Sequence, residues 1–204
     1  MAEEHSNSRL EAFCDGVFAI AITLLIIDIK IPSTEIINST ADVWLALRHI
    51  APSIFAFILS FTIIHITWVN HHNTLKLVNR SSASFMYANG FLLLTVVFIP
   101  FPTALLGDYL LTDHSAPAVM LYDAVFAFQS IGWILVTWTA LKNQLTKNEK
   151  STLTMRANNR FGYFAFVLYS LCAIIAFWFP LAIALVTTII WTFWLIYGIN
   201  VKGE

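Results

Sequence analysis

Apolar residues in this chain do not alternate with polar ones. They run together in long blocks. Six blocks come near the roughly 20 residues an α-helix needs to cross about 30 Å of hydrocarbon. The predicted spans are about Ala12–Ile31, Ile50–Val69 (starting at Ile50 or a little earlier), Ser84–Leu106, Pro117–Leu141, Phe161–Phe179 and Leu181–Asn200. Pro32 ends the first, Pro100 and Pro102 break the third late, and Pro180 alone separates the last two, which predicts a tight hairpin. The longest polar segment, Lys142–Arg160, reads as a loop. With no soluble domain, low-complexity linker or clear repeat in the pattern, residues 1–204 read as one all-α, six-helix transmembrane domain.

Cations set the orientation. Six spans place both termini on one side with the second–third and fourth–fifth connections. That side carries Arg9, Lys76, Arg80, Lys142, Lys147, Lys150, Arg156, Arg160 and Lys202. The other side has only Lys30 and Arg48, and its third–fourth loop holds Asp108 and Asp113 without a cation. The excess of Lys and Arg predicts cytoplasmic termini. Trp178 and Tyr197 fall where interfacial aromatics anchor a span.

Composition agrees: 58% of the residues are hydrophobic and 11% charged, against about 25% charged in soluble domains. A net charge of −1 gives no field to attract nucleic acid. Cys14 and Cys172 both lie inside apolar runs, so no structural disulfide is predicted. The first apolar run is too long for a secretory h-region and lacks an evident cleavage site. Asn38-Ser39-Thr40 is a formal glycosylation sequon on the predicted outer side, without meaning in a bacterial source.

The first span carries a carboxylate near each end, Asp15 and Asp28, and one hydroxyl, Thr23, between them. An ionisable residue inside a span is a functional candidate, because it costs roughly 2.5–3.5 kcal/mol at the centre of an inserted helix. At about 100° per residue, Ile20, Thr23, Leu24 and Ile27 fall on one stripe. Phe13 and Gly16 extend it toward the predicted cytoplasm. Asp15 points to roughly the opposite side, and Asp28 lies at the stripe's edge near the outer mouth. Periodicity leaves two readings open: ordinary helix packing with Thr23 bonded to its own backbone, or a narrow hydrophobic constriction that gates by dewetting. Asp28 and Glu35 are either solvated helix-end charges or carboxylate rings that attract cations.

The second span supplies partners for Asp15. His65, Trp68 and His72 share one stripe near the same end, with His71 adjacent, and Asn89 enters the third span from that side. By depth, Arg9, His72, Trp68 and Asn89 are the groups nearest Asp15. Their arrangement reads as a static polar clamp between helices, a clamp that moves with opening, or a proton relay or metal site. HExxH and CxxC spacings are absent, so no metal or cofactor is predicted.

Arg9-x-x-x-Phe13-Cys14-Asp15-Gly16-Val17-Phe18-Ala19-Ile20-Ala21-Ile22-Thr23-Leu24-Leu25 resembles the RxxxFSDG signature of the transmembrane protein 175 family of potassium channels. Trp68-Val69-Asn70-His71-His72 resembles the Trp and His that close that family's second helix. Asn89 with Pro100-Phe101-Pro102-Thr103 resembles its third helix. The last three spans are similar only in length and hydropathy. One departure is Cys14, where the family usually has Ser. A thiol is a weaker hydrogen-bond partner, so a network relying on that hydroxyl would be weakened.

The resemblance implies a six-span, single-repeat potassium channel assembled as a homotetramer in a prokaryotic plasma membrane. It implies a pore lined by the first helix of each subunit, without a TVGYG-type filter. Ile20, Thr23, Leu24 and Ile27 would then form the constriction. Arg9, Phe13, Cys14, Asp15, Trp68, His71, His72 and Asn89 would form the polar network holding the pore helix. Potassium is the implied permeant ion, and the partners are other copies of the chain and membrane lipid. Other classes fit less well. A secondary transporter would show repeat symmetry and a polar midplane, whereas Thr23 and Gln129 are among the few polar midplane residues here. An intramembrane protease would need paired aspartates at one depth, but Asp15 and Asp28 lie about 20 Å apart along one helix. A non-conducting scaffold stays open.

Overall fold

The computed structural model describes residues 4–30 and 37–200, with side chains described over 7–30 and 37–196. Glu35, Pro32 and Lys202, and the side chain of Tyr197, therefore lie outside the described residues. The elements are α1 (Glu4–Leu24), α2 (Thr40–His49), α3 (Ala51–Leu75), α4 (Ala83–Phe98), α5 (Pro100–Tyr109), α6 (Ser115–Lys142), α7 (Glu149–Ile175) and α8 (Pro180–Asn200). A single 3-10 turn, Leu25–Asp28, follows α1. Among the described residues the regular secondary structure is helical, apart from one isolated bridge, Val78 to Thr146.

Among the described residues, four helical stretches are long and apolar enough to cross a membrane: Asn7–Asp28, Ala51–Leu75, Ala83–Tyr109 and Ser115–Lys142. Pro180–Ile196 is apolar but shorter. The break expected at Pro100 is present: α4 stops at Phe98 and Pro100 opens α5, because proline supplies no N–H and crowds the preceding turn. The final hairpin is also present, turning through 176–179 between α7 and α8.

Two elements depart from the sequence reading. Lys142–Arg160 is not a loop, since α7 begins at Glu149. Asn148 caps it, accepting from the Ser151 N–H at 2.8 Å, and Met155, one turn above Ser151, is fully buried. Polar residues dominate those first turns, so no apolar block marks them. The second departure is α2, a short helix preceding the second span. Ser39 caps it by accepting from the Asp42 N–H at 3.2 Å. The backbone N–H of Asn38 and the Ser39 side chain hold the Asp42 carboxyl below the usual carboxylate range.

The helices pack around α6, which lies against α4, α5, α7 and α8, while α1 packs on α3 and α4. Close approach needs small residues where no solvent drives association. A Cβ on Gly132 of α6 would meet the Leu92 Cα of α4 at 3.0 Å, and one on Gly107 would meet the Ser53 Cα at 2.8 Å. Buried hydroxyls bind α3, α5 and α6 together: Ser60 Oγ lies 2.7 Å from Thr103 Oγ1 and 2.8 Å from the Tyr122 hydroxyl.

Where α1 begins, the connections are stitched to one another. α6 ends in a Schellman motif: Gln144 takes the left-handed conformation (φ 53°), its N–H reaches Leu141 O at 3.2 Å, and the Leu145 N–H reaches Ala140 O at 2.9 Å. That turn aims the next residues at the α3–α4 loop, where Asn79 N–H donates to Leu145 O and Lys147 N–H to Leu77 O.

In α6, Asp123 is fully buried. Thr187 of α8 donates to its Oδ1 at 2.8 Å, while Oδ2 has no hydrogen-bond partner. Thr187→Val should cost about 1–3 kcal/mol, the penalty for stranding a buried polar group. Thermal unfolding in detergent micelles should show a lowered midpoint, with Asp123→Asn closer to wild type than Thr187→Val.

Candidate pore helix and its polar clamp

Two faces of α1 meet opposite surroundings. Cys14, Phe18, Ala21 and Leu25 recur at helical spacing and are at most 1% exposed, packed into the main apolar core. The other face carries Phe13, Gly16, Ile20, Thr23, Leu24 and Ile27, which are all exposed, Ile20 at 58% and Ile27 at 70%. The chain leaves the predicted stripe uncovered. Thr23 Oγ1 donates to Ile20 O at 2.9 Å, as expected for a hydroxyl in an apolar helix. Its oxygen lone pairs remain free to face outward.

Asp15 leaves this stripe and is half-buried against α3, where Trp68 Nε1 donates to Oδ1 at 2.8 Å. An indole N–H is a donor only, so it suits an ionised carboxylate. Along α3, the ring centroids of His65 and Trp68 are 5.6 Å apart and those of Trp68 and His72 are 6.1 Å apart, forming the stripe read from the sequence. His72 Nδ1 lies 2.8 Å from Glu11 Oε1, one turn below Asp15 on α1.

His71 points to a different place. It is buried beside Phe18, with ring centroids 5.4 Å apart, and its Nε2 is 2.8 Å from Asn89 Oδ1 of α4. Asn89 Nδ2 donates to Phe85 O at 2.7 Å, which turns Oδ1 toward the imidazole and makes His71 Nε2 the donor. Both histidines are therefore engaged, His71 with α4 and His72 with α1.

The remaining candidates sit apart from these bonds. Arg9 is exposed, Phe13 belongs to the uncovered stripe, and Cys14 is fully buried in the apolar core. Asp28 is half-buried at the end of the 3-10 turn, and Glu35 lies outside the described residues. Glu11 was not singled out in the sequence; its i, i+4 spacing to Asp15 was the available signal. Among the described residues, no group of three or more His, Cys, Asp or Glu could hold a metal ion.

A polytopic α-helical membrane protein with one helix face left uncovered and the next clamped by polar groups is the class that this fold and site define. Residues 9–100 match the family described as Endosomal/lysosomal potassium channel TMEM175. A solved structure of a lysosomal potassium-selective channel TMEM175 homolog from Chamaesiphon minutus superimposes with a TM-score of 0.79 at 34% identity, covering 93% of this chain and 97% of that one. The chain belongs to the TMEM175 family. It is 46% identical over 124 residues to a protein of Chamaesiphon minutus named a potassium channel, the match spanning 61% of each chain. A protein from Chryseobacterium sp., also named a potassium channel, is 31% identical over 180 residues, 86% of this chain and 85% of that one. Animal relatives are named endosomal/lysosomal proton channels.

Replacing Trp68 with Phe keeps the ring and removes the donor to Asp15. The variant should lose about 1–3 kcal/mol of stability, because a partly buried carboxylate is stranded. Comparing thermal unfolding midpoints of Trp68→Phe and Trp68→Phe/Asp15→Asn checks the cause: the second change should recover part of the loss.

Proposed function

We propose that the chain is a potassium-selective channel. In this reading four copies assemble around an axis lined by α1, all six long apolar segments cross the membrane, and both termini lie in the cytoplasm of a prokaryotic cell. The observation that carries it is the uncovered face of α1: Ile20, Leu24 and Ile27 stay exposed while the opposite face is closed off by the core. A helix crossing lipid alone has no need of a polar clamp on its other side. A helix beside an aqueous path needs its rotation held.

Ile20, Leu24 and Ile27 form the constriction, and four copies of Thr23 place a ring of hydroxyl oxygens within it. Because each hydroxyl gives its proton to Ile20 O, it meets the ion with its lone pairs. Potassium is less strongly hydrated than sodium and sheds water more cheaply at such a neck. The isoleucines close it by excluding water. Asp28 stands at the outer mouth and raises the local cation concentration, a role the sequence offers Glu35 as well. Asp15, Trp68, His71, His72 and Asn89 do not touch the ion; they hold α1.

Flux from liposomes under matched potassium and sodium gradients tests the reading, with potassium flux expected to exceed sodium flux. Thr23→Val should fold normally and lower the potassium preference. Ile20→Asn should wet the neck and raise leak about tenfold, equivalent to ~1.4 kcal/mol off the barrier. Equal flux of both ions in wild type, or an Ile20→Asn variant that leaks no more than wild type, would overturn the assignment. The names of the animal relatives favour a second reading, proton conduction, which the same liposomes resolve under a pH gradient.

A further inference from the structure

The polar contacts of α1 continue to the start of its membrane-crossing stretch. Asn7, Glu11 and Asp15 are spaced four apart, so they climb one face of the helix turn by turn. Each meets a partner on α3 or the loop that follows it, in antiparallel order: Asp15 with Trp68, Glu11 with His72, and Asn7 with Val78 and Ser81.

Both halves of the Asn7 amide are used at the lowest level. Its Nδ2 donates to Val78 O at 3.4 Å, and its Oδ1 accepts from Ser81 Oγ. The group it grips is rigidly held. Val78 is buried and pairs with Thr146 across the bridge between the α3–α4 and α6–α7 loops. Asn143 Nδ2 donates to Ser84 Oγ at 2.9 Å, joining the end of α6 to the start of α4, and Thr146 Oγ1 lies 2.6 Å from Thr152 Oγ1 of α7. The ends of α3, α4, α6 and α7 are thus knitted into one platform, and Asn7 attaches the first turns of α1 to it. Asn7 also lies seven residues before Cys14, on the face turned away from the uncovered stripe.

We infer that Asn7 is a positioning residue that latches the start of α1 to this loop platform and holds the helix drawn back toward its own subunit. The inference rests on α1 lining the pore. With the latch made, the uncovered stripe is held away from the axis. With it broken, the start of α1 is free to lean inward, and the conducting form becomes rarer. The latch acts on how often the path is open and leaves the residues that meet the ion unchanged, so selectivity should not follow it.

The experiment compares wild type, Asn7→Ala, Ser81→Ala, the double variant, Ser81→Thr and Ile20→Asn as full chains in liposomes. Readouts are potassium flux, the potassium-to-sodium flux ratio and the thermal unfolding midpoint. Ser81→Ala should lower potassium flux about fivefold, what one lost hydrogen bond is worth, and Asn7→Ala, which also loses the bond to Val78 O, at least as much. The double variant should be no lower than Asn7→Ala alone, since that change already removes the contact Ser81→Ala removes. The flux ratio should stay at the wild-type value, and Ser81→Thr, which keeps the hydroxyl, should keep the flux. If Asn7→Ala does not fold, Ser81→Ala reads the same bond from the loop side and decides alone. Wild-type flux in folded Asn7→Ala and Ser81→Ala, or losses that add in the double variant, would overturn the latch. An unchanged leak in Ile20→Asn overturns the pore reading instead, whereas a raised leak there with unchanged Asn7→Ala and Ser81→Ala overturns the latch alone.

Discussion

A carboxylate placed within a membrane-crossing helix must find a donor, and Asp15 finds the indole of Trp68 at 2.8 Å. The rest of the arrangement depends on that pairing. Turning α1 so that Asp15 meets α3 fixes the azimuth of every other residue on the helix. Cys14, Phe18, Ala21 and Leu25 then enter the core, and Ile20, Thr23, Leu24 and Ile27 are left outside it. Exposure at the stripe and burial at the clamp are two sides of one rotation.

The clamp is supported from behind. His71 and Asn89 join α3 to α4 inside the core, with Phe18 against the imidazole, so α1, α3 and α4 meet at one buried point. Ser60, Thr103 and Tyr122 join α3, α5 and α6 nearer the opposite end of α3, and Asp123 with Thr187 joins α6 to α8. Hydrophobic burial does not discriminate between helix and lipid tail, so small residues and hydrogen bonds specify which helices pair. Gly132 against Leu92 and Gly107 against Ser53 supply the first, and these polar pairs the second. The TMEM175 homolog from Chamaesiphon minutus shares the fold over nearly its whole length at 34% identity.

Much of this was legible in the chain. Long apolar blocks announced the helices, Pro100 and Pro180 marked where two of them begin, and a helical wheel separated the stripe from Asp15. The network was legible only in part. Trp68, His71, His72 and Asn89 lie on the helices and near the end where the sequence places them, yet Arg9 and Phe13 make none of these contacts, while Glu11 lies against His72. Arg9 is a cation near a carboxylate in sequence, but on the exposed surface water competes for it, and the geometry of a donor-only indole prevails. The first turns of α7 and the whole of α2 escaped because both are rich in polar or solvent-facing residues. Caps by Asn148 and Ser39, which leave little trace in hydropathy, start them.

The amino-acid sequence by itself determined that this chain is helical and membrane-crossing, in which stretches its long helices lie, and which residues share a face of each. Those properties are local: hydrophobic block length and the 3.6-residue period act within one helix. Tertiary structure alone decided which faces meet, that His71 serves α4 while His72 serves α1, and that Asn7 reaches a loop more than seventy residues away. The period fixes angles along one axis but says nothing of the rotation and offset of that axis against its neighbours. Those are set by close packing at glycines and by polar groups that have no water to turn to.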